Sequence, residues 1–314
     1  MQKTLIALAA LATLAGSAGA ANVTLYGVAD TGLIYQKFDS NEYEDGSTSF
    51  SRLSMASGLN ANSRFGITGE EDLGEGLVVG FRLENGFTLD DGRMDNDDRL
   101  FGREAQLYVK GNLGTVSFGR MGALGSAAGS YDVIFATGDA FDGGDNYIST
   151  GFASSARYDN MVTFASPEFA GARVYAQYSL QTNGQENART SQNDRYAALA
   201  ATWTADNLAL VFGVEHGKPA SLNYNSAEDS WTYTLGGNVD FGVTKVFAMG
   251  QYASHVQSLA DFSMDEVNYK TDIARQTGVD GYALHVGADT PVLGGHLITG
   301  LYYADGDMSD PVLY

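Results

Sequence analysis

The 314-residue chain carries 38 Asp and Glu against 18 Lys and Arg, a formal net charge of -20. That excess of acid excludes nucleic acid as a partner, because phosphate binding needs a basic surface. Cysteine is absent, which excludes disulfides, thiolate metal sites and a thiol nucleophile.

The first segment has the pattern of a secretory signal peptide. Lys3 supplies the positive start, Thr4 to Leu14 is an apolar run too short to span a bilayer, and Ala18-Gly19-Ala20 is an A-x-A cleavage site. We therefore divide the chain into a signal peptide, 1–20, and one exported β-domain, 21–314. The 39 Gly, 18 Tyr and 16 Phe beside only 4 Pro suit many strands joined by tight turns.

The predicted strands follow in order. Val23–Phe38 leads into a polar stretch from Asp39 to about Asn60. A strand ending at Arg64–Gly69 meets the acidic turn Glu70–Gly76, and Leu77–Leu89 runs into the polar segment Asp90–Arg99. Arg103–Lys110 returns through Gly111–Gly114 to Thr115–Arg120, which enters a long segment from Met121 to about Ala153. Ser155–Ala165 turns at Ser166–Gly171 into Ala172–Leu180. Arg195–Thr204 and Leu208–Glu215 are joined at Ala205–Asn207, and Trp231–Val239 and Val243–Ser254 at Asp240–Gly242. Tyr282–Ala288 and His296–Ala304, joined around Pro291–Gly294, close the series. Short turns and long loops alternate throughout, which would place all turns at one end of the strands and all loops at the other.

Several strands alternate apolar and polar residues with a period of two. Val174, Ala176, Tyr178 and Leu180 oppose Arg173, Gln177 and Ser179, and Val246, Ala248, Gly250 and Tyr252 oppose Lys245 and Gln251. Alternation alone does not say which face is wet, but sorted loops and Tyr at the loop ends fit a transmembrane barrel with an interfacial aromatic girdle. The expected fold class is thus all-β, a transmembrane antiparallel barrel. About thirteen strands are countable, while bacterial barrels are even-numbered and cannot leave unpaired edges in lipid. Since "ADGDMSDPVLY" reads as loop, we expect the sequence to stop short of the last strands.

The ordered strings "VTLYGVADTG", "SRFGITGEEDLGEGL", "FRLENGF", "LFGREAQLYVKGNLGTVSFGR" and "RYDNMVTFASPEFAG" resemble the general porins of Gram-negative outer membranes, of the beta-proteobacterial and neisserial type. The resemblance implies sixteen strands, a homotrimer surrounded by outer-membrane lipid and lipopolysaccharide, no cofactor, and passive diffusion of ions and small hydrophilic solutes. It also implies that the third external loop, here Met121 to about Ala153, folds inward and narrows the pore between a basic wall and its own carboxylates. On that basis Arg64, Arg103 and Arg120 are basic-wall residues. Arg157 follows the inserted loop, and alternation between Phe81 and Leu83 points Arg82 into the lumen. Arg103 shares parity with Ala105, Leu107 and Val109, so a bulge or an outward face must explain it. The loop carboxylates are Asp132, Asp139, Asp142 and Asp145, and four of them suggest a weakly selective pore that leans to cations.

Other classes find less support. The four histidines, His216, His255, His285 and His296, are scattered and form no catalytic motif. "DDGRMDNDD" and "DAFDGGD" are acidic but lack the EF-hand spacing. A substrate-specific channel would need a run of lumen aromatics that sequence cannot place, and a plugged adhesive barrel sits poorly with the small residues of Met121–Gly129.

Overall fold

A computed structural model describes residues 22–40, 48–59, 61–142, 151–220, 228–259, 262–263 and 278–308. The signal peptide, Asp145 and the last six residues lie outside the described residues.

The described residues form a thirteen-stranded antiparallel sheet with two small two-stranded sheets beside it, β2 (Thr31–Ser40) with β3 (Thr48–Ser57) and β14 (Ser258–Leu259) with β15 (Phe262–Ser263). Its strands are β1 (Asn22–Val28), β4 (Arg64–Asp72), β5 (Val78–Gly86), β6 (Glu104–Gly111), β7 (Gly114–Gly122), β8 (Arg157–Ala165), β9 (Ala172–Ser179), β10 (Arg195–Ala205), β11 (Leu208–Lys218), β12 (Ser230–Asp240), β13 (Lys245–Val256), β16 (Val279–Val292) and β17 (Gly295–Met308), adjacent in that order. Every pairing joins neighbours along the sheet, the up-and-down order that short turns impose. The turns are tight at one end: Ala205 pairs with Leu208 across two residues, as do Val292 with Gly295. Leu293 and Gly294 there both adopt positive φ, 52° and 81°, which suits the twist of a two-residue hairpin.

The polarity is inside out relative to a soluble protein. Along β12, Thr232 and Thr234 are buried while Trp231, Tyr233 and Leu235 are exposed. Leu199 is 60% exposed, Leu235 64% and Leu301 80%, whereas Gln177 and Gln251 are 4% exposed. Such an apolar outer surface is stable only against hydrocarbon. Tyr233, Tyr252 and Tyr282 stand in register at the loop end of this surface. Trp231 stacks on Tyr233 at 6.1 Å, and Tyr282 meets Tyr303 at 6.0 Å, which builds the expected aromatic row.

Three sequence expectations need correction. Val23–Phe38 is two strands, β1 and β2 (Thr31–Ser40), because the Asp30 carboxylate accepts the Leu59 and Ala61 amides and pinches the chain. The polar stretch after Asp39 contains β3 (Thr48–Ser57), paired with β2, whose serines had masked its alternation. The last strand does not stop at Ala304. "ADGDM" continues β17, its polar groups paired with Val279–Ala283.

The sheet curls around the segments 123–142 and 151–156, which lie against its inner face. A short helix, α1 (Ile134–Gly138), packs on β11, β12 and β13. Ile134 seats over Gly213, where any Cβ would stand 2.4 Å from its Cδ1, and Gly138 lies against Met249 and Gly236. Leu124, Ile134 and Phe135 are fully buried there, each contributing about 1.5–3 kcal/mol by removal from water.

A candidate pore constriction

The inserted loop is fastened to the wall by polar side chains. Gln177 of β9 accepts the Leu124 amide at 2.9 Å and donates to the Gly122 carbonyl at 3.1 Å. Gln251 of β13 treats Ala153 likewise, at 2.8 and 2.9 Å. Between them Glu215 of β11 accepts the Ser155 hydroxyl at 2.7 Å, the Tyr196 hydroxyl at 2.5 Å and the Gly125 amide. The two legs also join directly, Ser155 N–H to Gly125 O, at 2.8 Å. The loop tip reaches the far strands. Tyr302 of β17 donates to Asp139 at 2.6 Å, His285 of β16 lies 3.3 Å from the same carboxylate, and Ala140 and Phe141 sit over the register partners Gly287 and Gly300.

The arginines gather on the opposite arc, β4 to β8. Arg103 Nε donates to Glu84 at 2.6 Å, and Arg64 stands 4.0 Å from the same carboxylate. Arg82 contacts Glu104 at 3.4 Å and donates to the loop's Ser130 at 2.7 Å. Arg120 and Arg99 share Asp159, each at 2.8 Å. Arg157 makes no ion pair among the described residues, and Arg103 and Arg120 are near enough to repel it. The structure therefore brings together all five arginines named from sequence. Two of them needed local departures from alternation. β6 pairing starts at Glu104, so Arg103 belongs to the bend before it and is free to turn toward Glu84. A register shift between Gly119 and Met121 frees Arg120 to reach Asp159.

The carboxylates are placed less simply. Asp139 is 2% exposed and occupied by Tyr302 and His285, so it faces the wall, contrary to its expected position across the pore. Asp132 follows a 3-10 turn (Gly129–Tyr131) with one oxygen buried and without a hydrogen-bond partner among the described residues. Burial, reinforced by Asp142, pushes its carboxyl up to about 8. Asp142 is exposed. Sequence reasoning missed Glu84, Glu104, Asp159 and Arg99. Glu84 was legible, since it shares the parity of Arg82. Glu104 and Asp159 acquire meaning only from register, and Arg99 only from the path of its loop.

On this wall six guanidinium groups (Arg64, Arg82, Arg99, Arg103, Arg120, Arg157) meet three carboxylates (Glu84, Glu104, Asp159), which leaves three positive charges. Fixed charges around a narrow aqueous passage set ion preference and orient polar solutes.

Comparison with known proteins gives a consistent placement. Residues 7–311 match the family described as Gram-negative porin. An outer membrane porin protein of Bordetella pertussis is 34% identical over 268 residues, covering 78% of this chain and 68% of that protein. Outer membrane porin protein 32 of Delftia acidovorans is 28% identical over 298 residues, covering 94% and 77%. Among solved structures, an anion-selective porin from Comamonas acidovorans superposes with a TM-score of 0.63 at 25% identity, covering 91% of this chain and 80% of that one.

Proposed function

The chain belongs to the Gram-negative porin family, outer-membrane β-barrels through which solutes pass by diffusion, and on that premise we propose a general pore that favours small anions. The observation that carries the selectivity is the charge balance of the wall, six guanidinium groups against three carboxylates. The cation-leaning expectation relied on the loop acids. Asp139 is turned away and Asp132 holds its proton at neutral pH, so their opposing field is weaker than their number suggests. Similarity to a porin described as anion-selective points the same way.

The finer assignments belong to the same proposal. Residues 1–20 direct export, the remainder forms the barrel domain, and Arg64, Arg82, Arg103, Arg120 and Arg157 line the constriction opposite Asp132 and Asp142. Closure at sixteen strands and assembly as a homotrimer in lipid and lipopolysaccharide complete it. No reaction chemistry is assigned, because the site's groups are arranged to pass ions and polar solutes.

The test is reversal potential in a planar bilayer under a KCl gradient, with protein purified from outer membranes. Stepwise conductance with anion preference is expected, reduced in Arg157→Gln. Cation preference would overturn the charge assignment, and absence of steps would overturn the open pore.

A further inference from the structure

Two cavities lie above the return leg of the inserted loop. The larger, of about 520 Å³, is walled by β10 to β13 and floored by Ala153–Ser155. The smaller, of about 350 Å³, lies among Arg99, Arg120 and Arg157. Tyr158 and Thr182 line both, so the two are lobes of one vestibule. We propose that this vestibule is a binding site for polyhydroxylated anions, such as a sugar phosphate or sugar acid, with the hydroxylated body in the larger lobe and the anionic group among the arginines. The inference rests on the open-pore reading.

The lobes differ in chemistry. The larger presents the hydroxyls of Ser154, Ser155, Ser230, Ser258 and Thr232. Its charged groups are Arg195 and Lys218 against Asp194, Glu215 and Glu228, with Lys218 already held by Asp229 at 2.9 Å and Glu215 already taken by the Ser155 and Tyr196 hydroxyls. It offers no excess of positive charge to an anionic group, and its hydroxyls offer donors and acceptors to other hydroxyls. Its volume is within the usual range for small-molecule sites, about 300–1,000 Å³.

The smaller lobe has more guanidinium groups than carboxylates, its three arginines meeting Asp97 on the lining. Arg99 and Arg120 share Asp159, while Arg157 has no carboxylate of its own. Arg157 Nε and Asn96 Nδ2 are both buried and lack a hydrogen-bond partner among the described residues. Buried donors without acceptors are costly, and an anionic oxygen would satisfy them with charge-assisted bonds. Arg195 Nε, on the rim of the larger lobe, is orphaned in the same way. The combination separates this site from a bare arginine cluster, which would take phosphate and sugar phosphate alike.

The test is current block in a planar bilayer at fixed ionic strength, with glucose 6-phosphate, inorganic phosphate and glucose added on the loop side. Glucose 6-phosphate should block at tenfold lower concentration than either of the others. Ser230→Ala with Thr232→Val should bring its block toward that of phosphate, and Arg157→Gln toward that of glucose. Equal block by glucose 6-phosphate and phosphate, or by glucose 6-phosphate and glucose, overturns the proposal. The comparison of the three solutes needs no variant. Conductance steps in KCl without hydroxyl-dependent block would overturn this inference alone, whereas missing steps would overturn the pore itself.

Discussion

Glu215 holds both legs of the inserted loop, and its removal should free that loop without unfolding the barrel. In Glu215→Ala three donors lose their acceptor: the Ser155 hydroxyl, the Tyr196 hydroxyl and the Gly125 amide. A hydrogen bond to a charged acceptor contributes about 1.5–3 kcal/mol, and an orphaned buried donor costs about 1–3 kcal/mol. Ser155 and Tyr196 line the cavity above the loop and can turn to water there, so most of the loss falls on Gly125. Loop docking should weaken by about 2–4 kcal/mol, which raises the undocked population roughly 30- to 1,000-fold at about 1.4 kcal/mol per decade. Glu215→Gln keeps one oxygen for the two hydroxyls and should lose only about 1–2 kcal/mol. Gln177 and Gln251 still hold the legs on either side. Single-channel recording is the assay: open-state noise and brief high-conductance excursions should grow in the order parent, Gln, Ala. A Glu215→Ala channel as quiet as the parent, beside a noisy Gln177→Ala channel, would refute the clip.

Asp132 supplies a pH dependence, because burial and Asp142 hold its carboxyl up near 8. The folded chain keeps a proton that the unfolded chain releases near pH 4, so the stability it contributes is full below that pH and lost as pH rises through about 8. Over the same upper window the loop gains one negative charge, and anion preference measured by reversal potential should fall between pH 7 and 9, but stay flat in Asp132→Asn. Leu199→Arg puts a charge on the lipid face at a position 60% exposed; it should cost about 2–4 kcal/mol if near the midplane, read from urea unfolding in lipid vesicles. Gly300→Val should unseat the loop tip, since even a Cβ there would press on Phe141 and His285 at 3.1 Å, and protease cleavage within the loop should increase.

The two-residue period of β9 and β13 separated the two faces from sequence alone, because a strand must send alternate side chains to opposite faces, and the sorted loops and terminal tyrosines then marked the apolar face as outward. The alternation of short turns with long loops gave the up-and-down order for the same kind of local reason. The family strings pointed to the inserted loop and to Arg64, Arg103 and Arg120, while alternation pointed to Arg82 and position after the loop to Arg157. Local reasoning failed where a contact partner lay far along the chain. Asp139 reads as a lumen carboxylate until Tyr302, 163 positions later, claims it. Glu215 is one more inward polar residue until the loop returns to meet it. Arg103 had the wrong parity because its strand begins one residue later than the pattern implied. Period and turn chemistry are properties of neighbouring residues, so sequence determined the sheet and its polarity. The charge that a solute meets depends on which arginines are neutralised and which carboxylates are buried, and only the register of the strands and the docking of the loop decide that.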